Sequence, residues 1–200
     1  MFDPDSLPLT AAYIAGLPHG LDSYPRCRVR TAVTRAVIER FPRVLEHPGV
    51  DGVFVDRLRT AMREGEWMSE ALGTATRILT RDAVFESDAQ YNEWTFEIAN
   101  ELFARPFYRA LMYVVSPSLV MLGASRRWNA FREGTTLTAK PGANGGDITL
   151  SFPPNLYTAL VLEGFGHAFR ASLAAARARG VRVELVEAGS ESARWVVGWE

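Results

Sequence analysis

From Gly134 to Glu200 the apolar and polar positions alternate in four short runs, interrupted by turn residues and by one longer run of helical period. Thr135 to Lys140 and Asp147 to Phe152 flank Pro141-Gly142-Ala143-Asn144-Gly145-Gly146, and the Asn-Gly-Gly stretch supplies the positive φ angles of a tight hairpin. Pro153-Pro154-Asn155 stops the second strand. The spacing then predicts a helix over Leu156 to Arg179, with Gly180 as a left-handed C-cap. Val181 to Ala188 and Arg194 to Trp199 form a second antiparallel pair around Ala188-Gly189-Ser190. Leu137, Ile148, Leu150, Phe152, Val183, Leu185, Trp195 and Val197 share one set of faces, whereas Thr136, Thr138, Lys140, Thr149, Arg182, Glu184 and Arg194 share the other. One buried face and one polar face suit an antiparallel sheet covered by helices on a single side. The predicted class is therefore α+β, with a helical layer packed on a four-stranded sheet of ββαββ order.

Upstream the period changes from two to about four. Arg28 to Phe41 places Val29, Val33, Val37 and Phe41 on one stripe and predicts a helix. Further helices are expected at Val53 to Glu64, Met68 to Leu79, Asp88 to Phe103, Pro106 to Val115 and Pro117 to Phe131, with Ser116 as an N-cap. Met1 to Pro25 is rich in Pro and Gly with scattered apolar residues, which reads as an arm lying on the body or on a partner. The expected organisation is an arm over 1–25 and one domain over 26–200, helical to 133 and ββαββ from 134.

Composition removes several function classes. A net charge of −1 offers no general attraction to nucleic acid or anionic lipid. No apolar run spans a bilayer, and one cysteine, Cys27, cannot form an internal bridge. With no basic-apolar leader at the start, a cytoplasmic home is expected.

Candidate chemistry is sparse. His19, His47 and His167 are the three histidines, and none has a partner at metal-ligand spacing. His167 lies one turn from Glu163 and from Arg170, the arrangement of a boundary histidine in a charge network. No Gly-x-Ser-x-Gly elbow nominates a nucleophile. Cys27 stands between Arg26 and Arg28 near an expected helix start, a setting that can lower a thiol pKa, but the plainer reading is a structural or incidental cysteine. The glycines at 142–146 are followed by a strand, so they are a hairpin and no phosphate loop. Arginines at 26, 28, 30, 35, 40 and 43 are the local basic excess, read as a solvated face.

Two features carry more content. Gly164, Ala168, Ala171 and Ala175 form a small-residue strip on the late helix, fit for close packing on the chain's own sheet or on a second copy. Aromatic residues also gather between Tyr91 and Tyr113 and at Trp128 and Phe131, where they either fill a core or line an apolar pocket. If they line a pocket, Trp94, Phe103, Phe107, Tyr108 and Trp128 are its expected ligand-binding residues.

Trp128-Asn129-Ala130-Phe131-Arg132-Glu133-Gly134-Thr135, Leu162-Glu163-Gly164 and Trp195-Val196-Val197-Gly198-Trp199, in that order, resemble a myxobacterial paralogous family of unknown function, domain of unknown function 2378. The arrangement is similar to haem-nitric-oxide-binding and vinyl-reductase-type domains, and the resemblance implies a small molecule held between helices and sheet. Haem-binding members ligate iron through a histidine on a helix before the last sheet. This chain has no histidine between Pro48 and Gly166, so neither haem nor another cofactor or metal is expected. The sequence thus predicts a non-enzymatic sensory or regulatory domain that binds a small apolar molecule. The alternative is a dimeric interaction or scaffold protein without a ligand. A homodimer is expected in either case.

Overall fold

Strand alternation and helix period resolve into two antiparallel sheets and a helical layer in the computed structural model, which describes residues 2–104 and 116–200. The α+β class is as expected. The larger sheet joins β4 (Thr136–Pro141), β5 (Gly145–Ser151), β6 (Arg182–Ala188) and β7 (Ser192–Gly198) in the order β4-β5-β7-β6. Its register sets Leu137 opposite Leu150 and Leu150 opposite Ala193, and next to this row sets Ile148 opposite Trp195 and Trp195 opposite Leu185. Because side chains alternate across a strand, both rows fall on the same inner face. Leu150 and Trp195 are fully buried there.

The hairpin glycines serve a different purpose at each position. Gly146 has φ +156°, a conformation that a side chain resists, but at Gly145 the constraint is space. A Cβ on Gly145 would stand 2.2 Å from the carbonyl oxygen of Val197, so the central strand β7 can pair only with a bare backbone.

The connecting helix, α8 (Ala159–Ala175), is shorter at both ends than its period predicted. Leu156 and Tyr157 are already buried in the loop before it, and Thr158 caps it by accepting from the Val161 amide. At the other end the left-handed turn falls on Arg177, at φ +65°, well before Gly180 at +59°. The Ala176 and Ala178 amides both reach the Leu173 carbonyl and tighten the exit early.

The helical layer comprises α1 (Pro8–Gly16), α2 (Thr31–Arg40), α3 (Gly52–Glu64), α4 (Glu70–Val84), α5 (Asp88–Ala104), α6 (Pro117–Leu122) and α7 (Ala124–Phe131). Two helices start later than predicted because their first residues are strands. β1 (Arg28–Arg30) lies between β2 (Trp67–Ser69) and β3 (Arg132–Glu133), a three-stranded sheet that the sequence did not announce. Val29 turns inward and is fully buried; Arg28 and Arg30 turn outward to Glu133 and Glu66. The stretch over Pro117 to Phe131 is two helices broken at Gly123. There a Cβ would collide with the Arg127 guanidinium, whose Nη1 donates to the Val120 carbonyl and closes α6. The predicted helix over Pro106 to Val115 lies outside the described residues.

The N-terminal segment is built into the interior. Leu7 is fully buried, Phe2 meets Phe54 edge-on at 5.0 Å, and the amide and hydroxyl of Thr10 both donate to Asp82 of α4 at 2.8 Å. The segment that reads as an arm lying on the body or on a partner contains a helix, α1, docked on α4 of the body. Among the described residues, no helix is long and apolar enough to cross a membrane.

Candidate functional site

The apolar interior is divided. One large cluster runs from Leu7 and Phe54 through α4 to the sheet face at Leu137, Ile148 and Trp195. Two smaller clusters stand apart, one around Val37, Tyr91 and Trp94 and another around Leu102 and Phe131. Where the three fail to merge, a cavity of about 160 Å³ remains, lined by α2, α5, α7, α8 and the inner face of the sheet.

Helix spacing explains both the walls and the gap. On α5, Tyr91, Trp94, Ile98 and Leu102 recur at three- and four-residue intervals and present one face to the cavity. On α8, Phe165, Phe169 and Leu173 do the same from the other side, and Gly164 lets the two helices close: a Cβ there would lie 3.4 Å from Thr95 of α5. The small-residue strip thus serves α5 at Gly164 and the cavity wall at Ala168, while Ala175 is exposed. Trp128 closes the end nearest the sheet, fixed by its indole N–H donating to the Thr135 hydroxyl at 2.8 Å and by edge-on packing against Phe165 at 5.2 Å.

Trp94, Phe103 and Trp128 stand in this wall together. Phe107 and Tyr108 lie outside the described residues. Phe96, in the same aromatic stretch, points away from the cavity and carries the Arg170 guanidinium 4.2 Å above its ring.

Three arginines, Arg77, Arg127 and Arg132, also line the cavity, and the aromatic pattern gave no hint of them. Arg132 is buried with its guanidinium between the Trp128 and Phe165 rings, 4.5 and 4.6 Å from their centres, and its Nε lies 3.4 Å from Glu70 Oε1. Glu70 is fully buried. Arg77 projects from α4, with its Cζ 5.3 Å from the Phe165 ring and with Nη1 buried and unpartnered. A readable signal existed: Arg77 is the sole charged residue between Ala71 and Thr80, a run otherwise of small and apolar side chains. Tyr91, also in the wall, has its phenol pushed up to about 12 by burial, so it stays neutral.

The remaining candidates sit elsewhere. His167 occupies an open groove on the far side of α8 with Asn92, Glu163 and Arg170, and burial followed by the charge of Arg170 holds its pKa below the ordinary value. Cys27 is structural, as the plainer of its two sequence readings had it. It is buried, its thiol donates to the Gly134 carbonyl at 3.3 Å, and burial, then the charge of Glu70, push its pKa up to about 11. Of its cationic neighbours, Arg26 is exposed in the turn before β1 and Arg28 turns outward from the strand to Glu133.

No protein-family model matches the chain, and no curated protein matches it. Among solved structures it is similar to the Fe(II) unliganded H-NOX protein of K. algicida, with a TM-score of 0.52 and 11% identity over 86% of this chain and 96% of that one. It is likewise similar to an oxygen-binding H-NOX domain related to soluble guanylate cyclases, with a TM-score of 0.53 and 10% identity over 86% of this chain and 95% of that one. At such identities the likeness defines the class of fold, that of the H-NOX domains, and nothing more specific.

The fold family implies haem, and the residues here do not fit it. Among the described residues no histidine lines the cavity: His19 and His47 lie in loops of the N-terminal half, and His167 faces the separate groove. The segment 105–115 contains no histidine or cysteine. A cavity of about 160 Å³ also falls well short of the roughly 300–1,000 Å³ that larger ligands occupy.

Proposed function

We propose that this chain is a haem-free sensory or regulatory domain, non-enzymatic and cytoplasmic, that holds a small, largely apolar molecule between its helical layer and its sheet. One observation carries the reading: rings and aliphatic side chains from three separate hydrophobic clusters surround a cavity instead of merging into one core. An apolar cavity of about this size accepts a benzene-sized guest. Trp94, Phe103 and Trp128 would shape the guest's surroundings, and Phe107 and Tyr108 are assigned to the same role by their place in the aromatic stretch. The likeness to H-NOX domains supports a sensor, since one neighbour is an oxygen-binding domain. The resemblance to domain of unknown function 2378 accords with this, because its Trp128–Thr135 motif supplies a cavity wall and the hydrogen bond that fixes it.

Native mass spectrometry of the freshly purified full chain, followed by titration with toluene while tryptophan emission is monitored, tests the reading. Trp94 and Trp128 should report binding. No co-purifying mass together with no emission change up to solubility would end it.

A second reading, a dimeric interaction protein, is supported by Val186 and Val196, which are 40% and 42% exposed on adjacent strands of the sheet. Light scattering at micromolar concentration decides it, and a monodisperse monomer would refute it.

A further inference from the structure

Burial of a charge is tolerated when a partner of opposite sign is buried with it. Among the described residues around the cavity that condition is met once. Arg132 has Glu70, whose Oε1 lies 3.4 Å from its Nε. Arg77 has no such partner: Nη1 is buried without an acceptor, and Glu70 is the sole carboxylate among the charges acting on it. Of the three guanidiniums in the wall, Arg132 has Glu70 and Arg127 donates to the Leu119 and Val120 carbonyls, which leaves Arg77 as the one facing the cavity with neither. An arginine does not escape by losing its proton in a folded protein. Burial, then the nearby Arg132, hold the Arg77 pKa below its usual value.

We infer that the ligand of this cavity is a compact anion, an aromatic or branched carboxylate of about benzoate size, whose carboxylate is anchored by Arg77. This rests on the ligand-binding reading above and narrows its chemistry. The guanidinium suits the task because it offers parallel N–H donors to the two carboxylate oxygens. Arg77 lies on the same wall as Phe165, while Tyr91, Trp94, Leu102 and Phe131 line the remainder, so an amphipathic guest has both ends matched. A few placed polar groups in an apolar pocket are what fix a ligand's orientation. Glu70 contributes by neutralising Arg132, leaving Arg77 as the free anchor.

The experiment compares benzoate, its neutral isostere benzamide, and toluene on the full chain, by calorimetry and tryptophan emission. Benzoate should bind about tenfold or more tighter than benzamide, the range expected of a charge-assisted hydrogen bond. Arg77→Met should remove that preference and leave toluene within about twofold of its wild-type affinity. Arg77→Lys should keep part of it. Should Arg77→Met fail to fold, the wild-type ratio of benzoate to benzamide decides by itself. Equal binding of the two overturns the anionic anchor and leaves the apolar pocket standing. Binding by none of the three overturns the pocket and the anchor together.

Discussion

The interior near α1 and the interior near α5 are built from the same kinds of side chain but packed to different ends. Around α1, α3 and α4, Leu7, Leu58 and Leu79 are fully buried and Phe54 is 1% exposed, and the polar groups of Thr10 find Asp82. Around α5, α7 and α8, the apolar residues separate into three clusters, and the space between them keeps arginines in its wall. The difference is one of ring geometry. Phe41, Phe85, Tyr91 and Trp94 satisfy one another in tilted and edge-on contacts 5.2 to 5.7 Å apart, and Trp128, Phe165 and Tyr157 do so edge-on at 5.0 and 5.2 Å on the other bank. Rings that pack among themselves on two banks leave the middle unfilled.

The largest effect is expected where packing is complete. Leu7→Ala should cost about 2–5 kcal/mol in urea unfolding, as buried leucines do. A loss below about 1 kcal/mol would mean that the N-terminal segment is only loosely held on the body and that the contrast is false. The hollow side should respond with the opposite sign. Ala168→Leu, which adds a side chain at the cavity wall, should raise stability by about 1 kcal/mol and abolish toluene binding. Lower stability with binding retained would show that the cavity is not where the guest sits.

Smaller effects sharpen the edges of the comparison. Cys27, buried and with its pKa pushed up to about 11, should resist a thiol reagent at pH 8 until the chain unfolds. Rapid labelling of the native protein would contradict the packing assigned to β1. The weakest effect belongs to His167, half-buried outside the cavity. Its folded pKa is lowered, so the unfolded chain binds the proton at higher pH. Stability should therefore be level above about pH 6.5 and decline as the pH falls below it. His167→Gln should flatten that decline, and an unchanged profile would assign it to other groups.

Much of the carboxy-terminal half was legible in the order of residues. Alternation placed Leu137, Ile148, Leu150, Trp195 and Val197 on one face, and all are buried there. Local rules suffice for this because the period of a strand and the turn chemistry of glycine act over a few residues. The helical half was less legible at its joints. Arg28–Arg30 and Trp67–Ser69 carry a helical spacing of apolar residues, yet they pair as strands with each other, a contact between residues 37 to 41 positions apart. No local propensity records such a partner.

The sequence by itself determined the α+β class, the inner face of the larger sheet, the absence of a histidine where haem would need one, and the aromatic wealth of α5. Only the tertiary structure decided that those aromatics ring a cavity instead of filling it, that Trp128 is locked by Thr135, and that the Arg77 Nη1 is buried in the wall without a carboxylate of its own. The physical reason is reach: periodicity is set by the geometry of one element, whereas a void and an unpaired charge are properties of how several elements meet, and no single segment contains them.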